Sequence, residues 1–83
     1  NSTRIKELLE TKQDAVPRAL KSLLESHYAG KIKLKQSDIN IMTSFGSWLD
    51  NGKTFTPNQY NTCRRIILAS YIDELVKISN KEI

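Results

Sequence analysis

Apolar residues recur along most of this chain at the spacing of one helix face, and four such stretches can be marked. In the first, about residues 3–12, Ile5, Leu8 and Leu9 lead on to Lys12 at i, i+3, i+4 and i+7, with Ser2 or Thr3 as N-cap. Its apolar face is narrow, so it needs tertiary contacts to persist. The second, 16–28, carries Val16, Leu20, Leu23, Leu24 and His27 as one continuous stripe. Pro17 suits its opening turn, where the missing N–H has no partner to lose, and Gly30 suits a left-handed stop. The third, 38–50, has the strongest amphipathic pattern, in Ile41, Met42, Phe45, Trp48 and Leu49. Ser37 is its expected N-cap, Asp38 favours the positive first turn, and Gly52 ends it.

The fourth stretch, 57–78, opens on the sharpest local signal in the chain, Thr56-Pro57-Asn58-Gln59. Thr56 caps, Pro57 takes the first helical position and Gln59 reaches back from the third, which makes a capping box. Tyr60, Cys63, Ile67, Tyr71 and Leu75 then form one stripe, widened by Ile66 and Ile72. This is the element around which the others are expected to pack. Before the third helix, Lys31-Ile32-Lys33-Leu34-Lys35 alternates as a strand would. It has no partner run, so 31–36 is expected to be an extended connector with Ile32 and Leu34 turned inward and its lysines turned to solvent. The expected fold is all-α: a compact four-helix bundle without a sheet, one domain over residues 1–83.

Length and composition narrow the classes. Eighty-three residues, 39% hydrophobic and 27% charged, suit one small folded domain with a thin core. No apolar run approaches the roughly 20 residues that cross a bilayer. The opening NSTRIKELLE lacks the cationic-then-apolar order of a secretory signal. The lone Cys63 excludes an internal disulfide and suits a reducing interior. Asn1 stands where an initiator Met would, which leaves two expectations open: a trimmed leader, or a piece of a longer polypeptide.

The net charge is +4, and its distribution says more than its size. Between residues 31 and 65, Lys31, Lys33, Lys35, Lys53, Arg64 and Arg65 face only Asp38 and Asp50, whereas the two ends are nearly balanced. A cationic middle can draw a polyanion; it can also simply keep a small protein in solution.

Catalytic chemistry is hard to assemble. His27 lies on an apolar stripe, where a histidine is usually a packed or hydrogen-bonded core-edge residue. With one His and one Cys, a zinc site has no ordinary ligand set, and no cofactor is expected. Asp73 and Glu74 are sequential, so on a helix they point about 100° apart. Cys63 reads as a buried structural thiol. Gly30, Gly46 and Gly52 make neither a Walker loop nor a dinucleotide fingerprint. Binding is better served. Arg64 and Arg65 follow an inward Cys63 and should lean outward with the lysines, able to share one face and contact phosphates. Phe55 and Tyr60 are candidate stacking partners for bases. Trp48 and Phe45 match the core stripe, and Tyr28 either closes the core or lies exposed beside the connector.

From Ser37 onward, SDINIMTSFGSWLDNGKTFTPNQYNTCRRII orders a Phe45-x-x-Trp48 helix, a Gly52-Lys53 turn and the Thr56-Pro57-x-Gln59 start. In that order it resembles the short helical modules found beside phage and bacterial helicases, in particular the small companions of the UvsW helicases of T-even phages. The resemblance is good over residues 31–75 and weak before them. It implies a non-catalytic accessory of an ATP-dependent DNA helicase in phage recombination, repair and replication. It also implies the host-cell cytoplasm as location, single-stranded or branched DNA and the cognate helicase as partners, and a monomer. The glycine-rich basic turn of related RecQ-type modules is matched only loosely, by Asn51-Gly52-Lys53. The DNA-binding reading rests on Lys31, Lys33, Lys35, Lys53, Arg64, Arg65, Tyr60 and Phe55. The alternative is an adaptor that docks a helicase or another replication protein through an exposed apolar face, with Ile32, Leu34 and Phe55 as candidates.

Overall fold

The computed structural model describes residues 2–80, and every regular element among them is helical. There are five: α1 Ser2–Thr11, α2 Ala15–Tyr28, α3 Gln36–Asp50, α4 Pro57–Ser70 and α5 Ile72–Ser79. The all-α expectation holds, but the bundle has five helices because the expected fourth is broken at Tyr71. That residue ends α4 and starts α5 with φ −123° and ψ 12°, outside helical geometry. No glycine or proline makes this break. The Tyr71 side chain is 2% exposed, and its hydroxyl accepts from the Lys35 N–H at 2.9 Å while donating to Asp38 Oδ2 at 2.7 Å. Holding the ring there accompanies the one non-helical residue between α4 and α5.

The other boundaries follow local chemistry. α2 and α3 both end in a Schellman turn. Gly30 at φ 77° lets its own N–H reach His27 O and lets Lys31 N–H reach Ser26 O. Gly52 at φ 79° does the same with Leu49 O and with Trp48 O through Lys53. The capping box of α4 is complete: Gln59 N–H donates to Thr56 Oγ1 at 3.2 Å and Thr56 N–H to Gln59 Oε1 at 2.9 Å. Ser37 is not the N-cap of α3. The helix begins two residues earlier than expected, with Lys35 in the cap position, because the Tyr71 hydroxyl fixes the Lys35 N–H. Asp38, third in the helix, spends its carboxylate on Tyr71.

A single cluster forms the core: Leu9, Val16, Leu20, Leu23, Leu24, Leu34, Met42, Phe45, Cys63, Ile67, Tyr71, Ile72 and Leu75. The Cα radius of gyration is 11.8 Å, close to the ~12 Å of a folded domain this long. α4 packs on every other helix, as expected of the central element, and α2 does so equally. α1 and α3 lie on either side of this pair without touching. On α3 the buried edge is Met42, Phe45 and Gly46, so Ile41, expected in the stripe, turns out to be 36% exposed. At Gly46 the Leu24 side chain of α2 lies directly against α3: a Cβ built there would stand 2.6 Å from Leu24 Cδ1.

Two consequences for stability can be measured. Gly46→Ala displaces only the flexible end of Leu24, and alanine favours a helix by about 1 kcal/mol over glycine. The variant should melt close to wild type, whereas Gly46→Val, which cannot yield at Cβ, should lose about 1–3 kcal/mol in urea titration. Tyr71→Phe should cost about 1–3 kcal/mol by leaving Lys35 N–H and Asp38 unpartnered. Burial, followed by the bond to Asp38, lifts the Tyr71 hydroxyl from its ordinary pKa near 10 to about 12, with the Lys35 N–H opposing and the Asp38 and Glu74 charges assisting. Its stabilisation is therefore complete below pH 10 and is lost as pH rises from 10 towards 12. A stability profile across that window should flatten in Tyr71→Phe.

Candidate nucleic-acid interface

The connector is short of regular structure and yet pinned along its length. Lys31 N–H and Ile32 N–H reach Ser26 O at 2.9 and 3.4 Å. Leu34 N–H donates to His27 Nδ1 at 3.3 Å, and Lys35 N–H to the Tyr71 hydroxyl at 2.9 Å. His27 thus serves as a hydrogen-bonded core-edge residue, its Nδ1 accepting from the connector. The alternation works as expected. Leu34 is 2% exposed and Ile32 packs partly buried on the core, while Lys31, Lys33 and Lys35 are exposed. Three cations therefore stand on one side of a backbone that is fixed on the other.

The remaining cations are placed apart from this ridge. Lys35 Nζ donates to Ser70 Oγ at 3.0 Å, which puts the end of α4 beside the start of α3. At the far end of α3, Trp48 Nε1–H donates to Thr54 O at 2.8 Å, and Lys53 Nζ lies 4.4 Å above the Trp48 ring. The fifteen residues of α3 rise about 22 Å, so Lys53 and the connector lysines are separated by roughly that length. Arg64 and Arg65 lie between, on α4. Arg64 is half-buried, donates to Asn61 Oδ1 at 3.4 Å and has its guanidinium 5.8 Å from the Tyr60 ring. Arg65 is exposed. A shallow depression joins both arginines to Asn61, Leu68, Ala69 and Glu10 of α1, and the Glu10 carboxylate offsets part of their charge. The six cations thus fall at three stations along α3 and α4, of which the connector is the densest. Among the described residues, Arg18 pairs with Asp14 at 3.7 Å and Lys21 with Asp50 at 3.3 Å, whereas Lys31, Lys33 and Arg65 enter no ion pair.

The aromatic candidates are tied into the fold. Tyr60 is half-buried and its hydroxyl donates to Leu9 O at 3.4 Å. Phe55 packs edge-on against Phe45, with ring centroids 5.4 Å apart. With Pro17, Leu49 and Pro57, Phe55 and Tyr60 line an open groove of about 470 Å³. Ile32, Leu34 and Phe55 do not form an exposed apolar face, because all three are drawn onto the core. Of the aromatics outside the candidate set, Tyr28 stands out, because the structure leaves it 66% exposed. Its position next to the His27 stripe but at the last turn of α2 was the one signal for it.

Cys63 is 1% exposed, and burial pushes its thiol from about 9 up to about 12. At neutral pH it is a protonated core side chain with no nucleophilic character. Among the described residues no His, Cys, Asp and Glu gather into a group able to hold a metal ion, and no helix is long and apolar enough to cross a membrane. Comparison with family models, with curated proteins and with solved structures gives no match. One check follows directly from the thiol. A disulfide reagent at pH 8 should modify Cys63 roughly a thousandfold more slowly in the native chain than in urea, and equal rates would show that the α4 stripe opens readily.

Proposed function

We propose that this chain is a non-catalytic nucleic-acid-binding module whose main contact is the connector, with Lys31, Lys33 and Lys35 taking phosphates of single-stranded or branched DNA. The observation that carries this reading is the pinned ridge. Its backbone hydrogen bonds go to Ser26, His27 and Tyr71, its apolar side chains go into the core, and its cations are exposed, Lys31 and Lys33 in solvent and Lys35 with a hydrogen bond to Ser70. Exposed Lys31 and Lys33 lose little hydration until a phosphate arrives, and each phosphate neutralised releases condensed counterions. Arg64 and Arg65 add a second station on α4, with Arg65 the freer of the two to fork onto a phosphate. Lys53, Phe55 and Tyr60 belong to this surface only at its margin, since Lys53 is engaged by Trp48 and both rings pack on the core.

The role we propose for such a module is accessory to an ATP-dependent helicase of the UvsW kind in phage recombination, repair and replication. Its support is the resemblance carried by Phe45-x-x-Trp48, Gly52-Lys53 and Thr56-Pro57-x-Gln59. Tethered to a motor, a few phosphate contacts gain from high effective concentration, so weak binding by the isolated chain is consistent with the role.

Anisotropy of labelled single-stranded and forked DNA at several salt concentrations tests the contact. Wild type should bind more weakly as salt rises. Single strands release about 0.7 counterion per phosphate, so changing Lys31, Lys33 and Lys35 together to Ala should reduce the slope of log K against log salt by about 2. Arg64→Ala with Arg65→Ala should reduce it by about 1.4 at most. An unchanged slope in the lysine variant would place the contact elsewhere, and no binding at low salt would remove the nucleic-acid reading.

A further inference from the structure

We infer that Tyr28 is a stacking platform for an unpaired base of the strand whose phosphates the connector lysines hold; this rests on the nucleic-acid reading above. Tyr28 is the most exposed large hydrophobic side chain of the described residues, at 66%, so the fold gains little from its ring. The ring is nonetheless positioned. Its hydroxyl lies 3.3 Å from Thr43 Oγ1 on α3, and its centroid is 5.6 Å from that of His27 at an angle of 58°. One end is thus tied to α3 and the other to α2, and a large part of the ring surface remains open to solvent.

The neighbourhood divides a nucleotide into its two parts. Tyr28 is the last residue of α2, and the Gly30 turn carries the chain straight from it into Lys31. The chain bends at Lys31 and Ile32, where both N–H groups reach Ser26 O, and even a fully extended path from Lys31 to Lys35 could cover only about 14 Å, so the ring and the cations are adjacent. The last carbonyls of α2 are the negative end of the helix and repel a phosphate. They are also already engaged, Glu25 O by Ala29 N–H, Ser26 O by Lys31 N–H and His27 O by Gly30 N–H. A neutral base is the part of a nucleotide that fits there, with its phosphates displaced towards Lys31 and Lys33. Such a base must be unstacked, which selects single strands or the open arms of a branch over continuous duplex.

The test uses the 83-residue chain with labelled oligothymidylate about a dozen nucleotides long, the matching oligouridylate and a duplex of equal length. Tyr28→Ala should weaken single-strand binding about tenfold, within the range of one lost base stack, while leaving the salt slope and the melting curve as in wild type. Tyr28→Phe should bind as wild type. Abasic sites in the strand should weaken wild type but add nothing to the loss in Tyr28→Ala, the non-additivity expected of one contact removed twice. The tighter of the DNA and RNA strands is the ligand on which the Tyr28 effect must appear. If Tyr28→Ala binds it as wild type does while the lysine variant fails, stacking is overturned and the phosphate contact stands. If Tyr28→Phe falls with Tyr28→Ala, or if duplex binds more tightly, stacking is also overturned. If wild type binds no strand at low salt, both readings are lost.

Discussion

One hydroxyl organises much of this molecule. The Tyr71 side chain reaches across from the end of α4 to the start of α3, a separation of 36 residues along the chain to Lys35. There it accepts one hydrogen bond and donates another. In open water those groups would be solvated and the exchange nearly neutral; at this part-buried site each is costlier to leave alone. The bond therefore acts more as a constraint than as a source of stability. It ties together the start of α3, the junction of α4 with α5, and the last lysine of the connector. A small domain with a thin core gains more from such a tie than a large one would, because fewer apolar contacts duplicate its effect.

The parts of the fold that were legible in the sequence are those whose causes are local. The capping box needs only Thr56 and Gln59, three residues apart, and the left-handed stops need only Gly30 and Gly52. The apolar stripes of α2 and α4 declare their buried faces by spacing alone. What stayed hidden depends on partners remote in sequence. Nothing near Tyr71 breaks a helix, and the periodicity runs unbroken through it from Cys63 to Leu75; the interruption comes from Asp38 and Lys35. Ser37 is a better cap by composition than Lys35, yet the cap is decided by which N–H finds the tyrosine. Ile41 reads as core because its spacing fits, but the α2–α3 contact narrows onto Met42, Phe45 and Gly46, where the absence of a side chain permits close approach.

The candidate site divides in the same way. The outward set of connector lysines follows from alternation against buried Ile32 and Leu34, and sequence suffices for it. The separation of Lys53 from those lysines, and the carboxylate of Glu10 beside the arginines, depend on how the helices pack. Sequence offered two destinations for Tyr28, core or solvent, and only the tertiary arrangement decides between them. Residues that serve the fold twice over, such as Tyr60 and Phe55, look like ligands in a sequence because aromatic rings near arginines are common to cores and to binding surfaces alike.

The pinned connector also limits how the chain can vary. Its cations need only length and charge, so arginine could replace lysine there with little disturbance to the backbone. Its number of residues has no such freedom. Burial alternates along this segment with a period of two, and both its ends are fixed, at Ser26 and at Tyr71. Adding or removing a single residue between Gly30 and Gln36 would reverse the alternation, turning lysines towards the core and Ile32 or Leu34 into solvent. The segment with the least regular structure is thus the one whose length is held most strictly, while its charge pattern can drift.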